Sequence, residues 1–111
     1  MVPEIIVNND DELQDMIDNK DFKIAESIIS SILNNINTKK QHIHVLSFNI
    51  LEEDKTLDIT LEKKFFIETL EENLKYFVEK ERYEDCQKIV ETINILKNKE
   101  KNGKSRKQQP K

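Results

Sequence analysis

Leu46-Ser47-Phe48-Asn49-Ile50 and Thr56-Leu57-Asp58-Ile59-Thr60-Leu61 alternate apolar with polar residues, and the charged connector Glu52-Glu53-Asp54-Lys55 lies between them. Side chains two apart share one face of a strand, so each run presents an apolar and a polar face. Two such runs around a polar turn predict a β-hairpin over residues 42–61, although the connector lacks the Asn-Gly or Asp-Gly pair that the tightest hairpins use. A competing reading makes Thr38-Lys39-Lys40-Gln41 a capping box that opens a helix. Apolar residues at 43, 45, 46, 48, 50 and 51 would then scatter around the helix, which would need burial on all sides. The fold class turns on this choice. It is either α+β, predominantly helical, with two helical hairpins flanking a small antiparallel β-hairpin, or all-α with five helices.

Before this stretch, Val2-Pro3-Glu4-Ile5-Ile6-Val7 is short and β-branched and stops at Asn8-Asn9-Asp10-Asp11, which predicts a brief edge strand or an extended arm. Asn9 with Glu12 three residues later reads as a capping box, and Asp10, Asp11, Glu12 and Asp15 suit the positive end of a helix dipole. A helix is expected from about Asp11 to Ile17. Asn19-Lys20-Asp21 breaks it, and Phe22, Ala25, Ile28, Ile29, Ile32, Leu33 and Ile36 lie on one stripe of a second, antiparallel helix.

After Leu61 the helical period returns through Phe65, Phe66, Leu70, Leu74, Phe77 and Val78. Glu79-Lys80-Glu81-Arg82 supplies a turn, and Tyr83, Cys86, Ile89, Val90, Ile93 and Leu96 mark one face of the next helix. A shift of 61 places overlays the two helical pairs: Leu13 on Leu74, Met16 on Phe77, Ile17 on Val78, Phe22 on Tyr83, Ala25 on Cys86 and Ile32 on Ile93. Duplication and convergence of two amphipathic hairpins both account for the overlay. Leu70-Glu71-Glu72-Asn73-Leu74 leading to Tyr83-Glu84-Asp85-Cys86-Gln87-Lys88-Ile89 resembles the UVR-type helical hairpin of nucleotide-excision-repair subunits and some protease regulators. That resemblance covers residues 70–96 and implies a protein-docking module. Phe77 and Val78 stand where the family has small residues, Gln87 where it has an alanine, and Val90 where it has an arginine.

The chain has 111 residues, 36% hydrophobic and 36% charged, which fits one core with a heavily solvated exterior. A compact domain over 1–97 followed by a basic, disordered tail over 98–111 is expected, with Gly103 as a helix stop and Pro110 beyond it. The net charge of −4 conceals an asymmetry. Seven positive residues against Glu100 alone give Lys97–Lys111 a net +6, leaving −10 for Met1–Leu96. No apolar run reaches the roughly 20 residues of a membrane span, and Met1–Val7 lacks the form of a secretory signal. A lone cysteine, Cys86, and the absence of an Asn-x-Ser/Thr acceptor point away from an oxidising compartment, so a cytoplasmic location is expected. Abundant Ile, Asn and Lys match an AT-rich genome, bacterial, phage or protozoal.

A single glycine excludes the Gly-rich phosphate loops. His42-x-His44 places two imidazoles on one strand face, but no third or fourth ligand stands nearby in the sequence, so no metal is expected. Cys86 lies on an apolar stripe and reads as a packing thiol. The acidic runs Asp10–Asp18 and Glu52–Asp54 lack the spacing of a calcium loop. No cofactor and no small-molecule substrate are indicated. The expectation is a non-enzymatic interaction or adaptor protein, docking a protein partner or a second copy through Phe65, Phe66, Ile67 and Phe77, which exceed what one helix face hides. The alternative is a nucleic-acid-associated regulator whose tail residues Lys99, Lys101, Lys104, Arg106 and Lys107 neutralise phosphates, although no aromatic lies among them to stack a base.

Overall fold

The computed structural model describes residues 2–108, with side-chain surroundings for 2–100. Among the described residues the fold is α+β: strands β1 (Glu4–Val7), β2 (His42–Ile50) and β3 (Lys55–Glu62), and helices α1 (Asp10–Asp18), α2 (Phe22–Leu33), α3 (Phe66–Glu79) and α4 (Tyr83–Gln108), with 3-10 turns at Leu51–Glu53 and Lys63–Phe65. The all-helical alternative is overturned, because residues 42–61 pair as strands. The chain divides into two compact units, Met1–Phe66 and Ile67–Lys111.

In the first unit the sheet order is β1-β2-β3, with β1 parallel and β3 antiparallel to β2. A parallel neighbour requires a crossover rather than a turn, and α1 and α2 supply it. Asn9 caps α1 by accepting the Glu12 amide at 2.9 Å, while the Glu12 carboxylate reaches back to the backbone and side-chain nitrogens of Asn8. The carboxylate therefore satisfies the residue before the cap, one position earlier than in the usual box. Thr38 opens no helix: its hydroxyl accepts the Lys40 amide at 3.1 Å, a local turn two residues before β2.

The alternation in β2 changes phase at Val45-Leu46, where a bulge occurs: His44 pairs with Thr60 but Leu46 pairs with Ile59, so Val45 is the extra residue. This explains why Ile43 and then Leu46, Phe48 and Ile50 can all join Leu57, Ile59 and Leu61 on one face. The carbonyl of Val45, released from the ladder, accepts the buried Ser31 hydroxyl of α2 at 2.8 Å. Ala25, Ile29 and Ile32 of α2 and Ile5 and Val7 of β1 are buried with the β2 residues to form the core of this unit. Asp54 closes the β2–β3 turn in the left-handed region (φ 49°, ψ 49°), taking the slot that glycine or asparagine fills in tighter hairpins.

In the second unit α3 and α4 form an antiparallel pair. Lys97 Nζ lies 3.1 Å from Glu71 Oε2, and Leu70, Phe77, Ile89, Ile93 and Leu96 are buried. The α1–α2 and α3–α4 turns close with corresponding bonds. Lys20 N donates to Ile17 O and Asp21 N to Met16 O; Glu81 N donates to Val78 O and Arg82 N to Phe77 O. Both are Schellman motifs with a left-handed residue, Lys20 at φ 52° and Glu81 at φ 56°.

One boundary differs from expectation. The helix expected to end near Lys97 continues to Gln108, because Lys, Glu, Asn and Arg all tolerate helix and one glycine costs only about 1 kcal/mol. The expected tail thus begins within the described span of α4, while Gln109, Pro110 and Lys111 lie outside the described residues.

Candidate functional site

Because the bulge changes the phase of β2, residues three apart there share a face. His44 and Ser47 both stand on the side of the sheet opposite the core, across from Thr60 and Asp58. Ser47 Oγ is 2.8 Å from His44 Nε2 and 2.8 Å from Asp58 Oδ1, and His44 Nε2 is 3.3 Å from that same carboxylate oxygen. Ser47 is 8% exposed, whereas Asp58 faces solvent.

The proton inventory determines what this trio can do. A serine hydroxyl has one proton, and here it goes to Asp58. With that proton on Asp58, Ser47 Oγ is an acceptor for His44 in the tautomer that carries its proton on Nε2. A nucleophilic serine needs the reverse, a bare ring nitrogen to take its proton and a carboxylate on the far side of the ring. The arrangement is a cross-strand polar clasp tying β2 to β3.

Two clefts adjoin it. One of about 370 Å³ is lined by residues including Asn34, Asn35, Thr38, Lys40, His42 and His44; the other, about 430 Å³, is lined by His42, Thr60, Leu61, Glu62 and Phe65. His42 borders both. Lys63 Nζ is anchored on the Thr38 carbonyl at 2.6 Å, and the Lys63 amide on Gln41 O at 2.7 Å. No group of three or more His, Cys, Asp or Glu side chains among the described residues is placed to hold a metal ion. The two acidic runs do meet at one point. Glu53, in the β2–β3 turn, is raised above the ordinary glutamate value by a side-chain hydrogen bond with Asp10, reinforced by partial desolvation and by repulsion from Asp10.

The docking residues expected from sequence separate. Phe66 and Phe77 are only 1% and 2% exposed, so both leave the candidate surface and join the buried residues; Ile67 is half-buried, and Phe65 is 41% exposed. The expected continuous apolar face of α4 also divides. Ile89, Ile93 and Leu96 are buried, while Tyr83 (63% exposed) and Val90 are open, with half-buried Cys86 between them. Val78 at the end of α3 is exposed as well. Of the expected phosphate-contacting residues, Lys99 is exposed on α4, and the side chains of Lys101, Lys104, Arg106 and Lys107 lie outside the described set. No helix among the described residues is long and apolar enough to cross a membrane.

Comparison with protein-family models, with curated proteins and with solved structures returned no match.

Proposed function

We propose that this is a small non-enzymatic interaction protein that docks a protein partner on its C-terminal helical hairpin. The observation that carries the reading is an exposed apolar set on that hairpin: Val78 and Tyr83 on either side of the turn, and Val90 about two turns along α4. Tyr83 and Val90 are seven residues apart and so share one face of α4. A tyrosine presents a large rigid surface with a polar edge, the type enriched where partners bind, and surrounding branched aliphatics exclude water from it. The resemblance of residues 70–96 to a docking hairpin points the same way. A cytoplasmic setting agrees with the unpaired Cys86.

A photo-crosslinking residue placed at Tyr83 or Val90 should capture a defined protein band in cells, and Tyr83→Asp in the same chain should abolish it. Crosslinking no stronger than from an exposed polar position on another helix, such as Gln14, would sink the proposal.

The second reading rests on the continuity of α4. Its backbone stays helical through Lys99, Lys101, Lys104, Arg106 and Lys107, so most of the positive charge of the C-terminal segment is carried on a helix. Each phosphate such a segment contacts lowers log K by roughly 0.7–0.9 per unit of log salt. Binding of the full chain and of a form lacking 98–111 to DNA and RNA at two salt concentrations decides it. Equal retention by the shortened form removes the segment's role.

A further inference from the structure

The cleft of about 370 Å³ beside the clasp is set apart by its charge. Met1–Leu96 carries a net −10, yet no aspartate or glutamate is among the described residues that line this cleft. Its polar lining comes instead from Asn34 and Asn35 after α2, Thr38 and Lys40 before β2, and His42 and His44 on β2. All six belong to the first compact unit.

Several of these donors are free. Thr38 Oγ1 accepts the Lys40 amide at 3.1 Å, which fixes the backbone that carries Lys40 and leaves the hydroxyl its own proton to donate. Among the described residues no hydrogen bond or ion pair engages the Lys40 ammonium, the His42 ring or the Asn34 side-chain amide. The negative groups around the cleft, by contrast, are engaged. α2 ends here, and three of its last carbonyls have donors: Ser30 O takes Asn34 N, Ile32 O takes Asn35 N, and Ser31 O takes Asn35 Nδ2 at 2.7 Å. The Thr38 carbonyl takes Lys63 Nζ at 2.6 Å, which brings a second ammonium to the cleft wall. On β3, Glu62 opposite His42 lies 3.3 Å from Lys64 Nζ, and Asp58 is held by Ser47 and His44.

We propose that this cleft binds a small polar phosphomonoester, its phosphate held by the Lys40 ammonium and by donors from His42, Asn34 and Thr38. Free donors facing no free carboxylate call for an anion, since an ammonium has only protons to offer and an imidazole donates in either protonation state. A phosphate group brings three acceptor oxygens and close to two negative charges to these four donors, where a carboxylate brings two oxygens and one charge. Phosphate alone would fill only part of the space, because clefts of this size take small organic molecules. The amide of Asn35 and the ring of His44 suit a polar body. The site lies apart from the Tyr83 face of α4, and its test uses different residues.

Proton–nitrogen correlation NMR of the full chain, titrated at constant ionic strength with glucose 6-phosphate, inorganic phosphate and glucose, tests this. Glucose 6-phosphate should give saturable shifts concentrated at residues 34–44, inorganic phosphate should bind the same residues more weakly, and glucose should leave them unmoved. Lys40→Gln should weaken glucose 6-phosphate binding about tenfold, the loss of one hydrogen bond to a charged group. Lys39→Gln removes the same charge one residue away, outside the lining, and should leave binding unaltered. Both lysines are exposed, so neither change disturbs the core, and His42→Gln supplies a second variant at the site itself. Shifts that fail to saturate at millimolar glucose 6-phosphate, or that follow exposed lysines throughout the chain, overturn the proposal. So do equal affinities for glucose 6-phosphate and inorganic phosphate, binding of glucose alone, or equal losses from Lys39→Gln and Lys40→Gln.

Discussion

Lys20→Gly and Glu81→Gly should each stabilise the protein, although glycine inside a helix ordinarily weakens it. Both residues occupy the left-handed position that follows a helix, at φ 52° and φ 56°. A side chain with a Cβ meets the following carbonyl there, at a cost of roughly 1–2 kcal/mol. Glycine removes that clash but enlarges the conformational freedom of the unfolded chain, which returns about 0.4–1 kcal/mol. The difference is a net gain of about 0.5–1 kcal/mol per site, near 4 °C in Tm for a chain of this size. The hydrogen bonds of the turn use backbone atoms alone, from Lys20 N, Asp21 N, Glu81 N and Arg82 N, so the substitution removes none of them. Urea denaturation followed by circular dichroism, with single variants and an unchanged m-value, is the appropriate assay. Lys20→Ala keeps the Cβ and should gain nothing. If the glycine variants instead lose about 1 kcal/mol, as glycine does inside a regular helix, the left-handed assignment and the reasoning built on it are refuted.

Three further outcomes are expected. Ser31→Ala leaves the Val45 carbonyl of the bulge without its buried donor and should cost about 1–3 kcal/mol in the same denaturation assay; a loss near zero would mean that the bulge does not depend on it. Phe77→Ala should cost about 3–5 kcal/mol, while Phe65→Ala, at a largely open position, should cost under about 1, so equal losses would contradict the division between buried and exposed phenylalanines. Glu53 has a folded-state value raised by Asp10, so the folded form binds its proton more readily than the unfolded form. Its favourable contribution is therefore present below the ordinary value of 4.5 and is lost as pH rises through the raised value. Glu53→Gln should accordingly raise Tm at neutral pH, and its advantage should shrink on acidification. A gap that widens at low pH would reverse the sign and refute the pairing.

Much of the secondary structure follows from local pattern. The alternation at 46–50 and 56–61 is sufficient for two strands, since a helix would have had to bury its whole circumference. The stripes through Ile29 and Ile32, and through Ile89, Ile93 and Leu96, place helices whose buried sides the structure retains. Asn9 and Glu12 locate the start of α1 from a single side-chain hydrogen bond, a strictly local interaction.

Legibility is poorer where a residue's fate depends on distant chain. Phe66 and Phe77 look surplus when one helix face is counted alone, and both are buried. The end of α4 was also poorly marked, because a lone glycine only weakens a helix and a proline appears no earlier than 110.

The amino-acid sequence by itself determined the elements that local periodicity and capping specify: the helices, the strand pair and the charge asymmetry between body and C-terminal segment. The tertiary structure alone decided the parallel pairing of β1 and the extra residue at Val45. It also decided the meeting of His44, Ser47 and Asp58. The physical reason is parity. In a regular strand residues 44 and 47 face opposite sides, and only a bulge, anchored by a hydroxyl from α2, turns them to the same one.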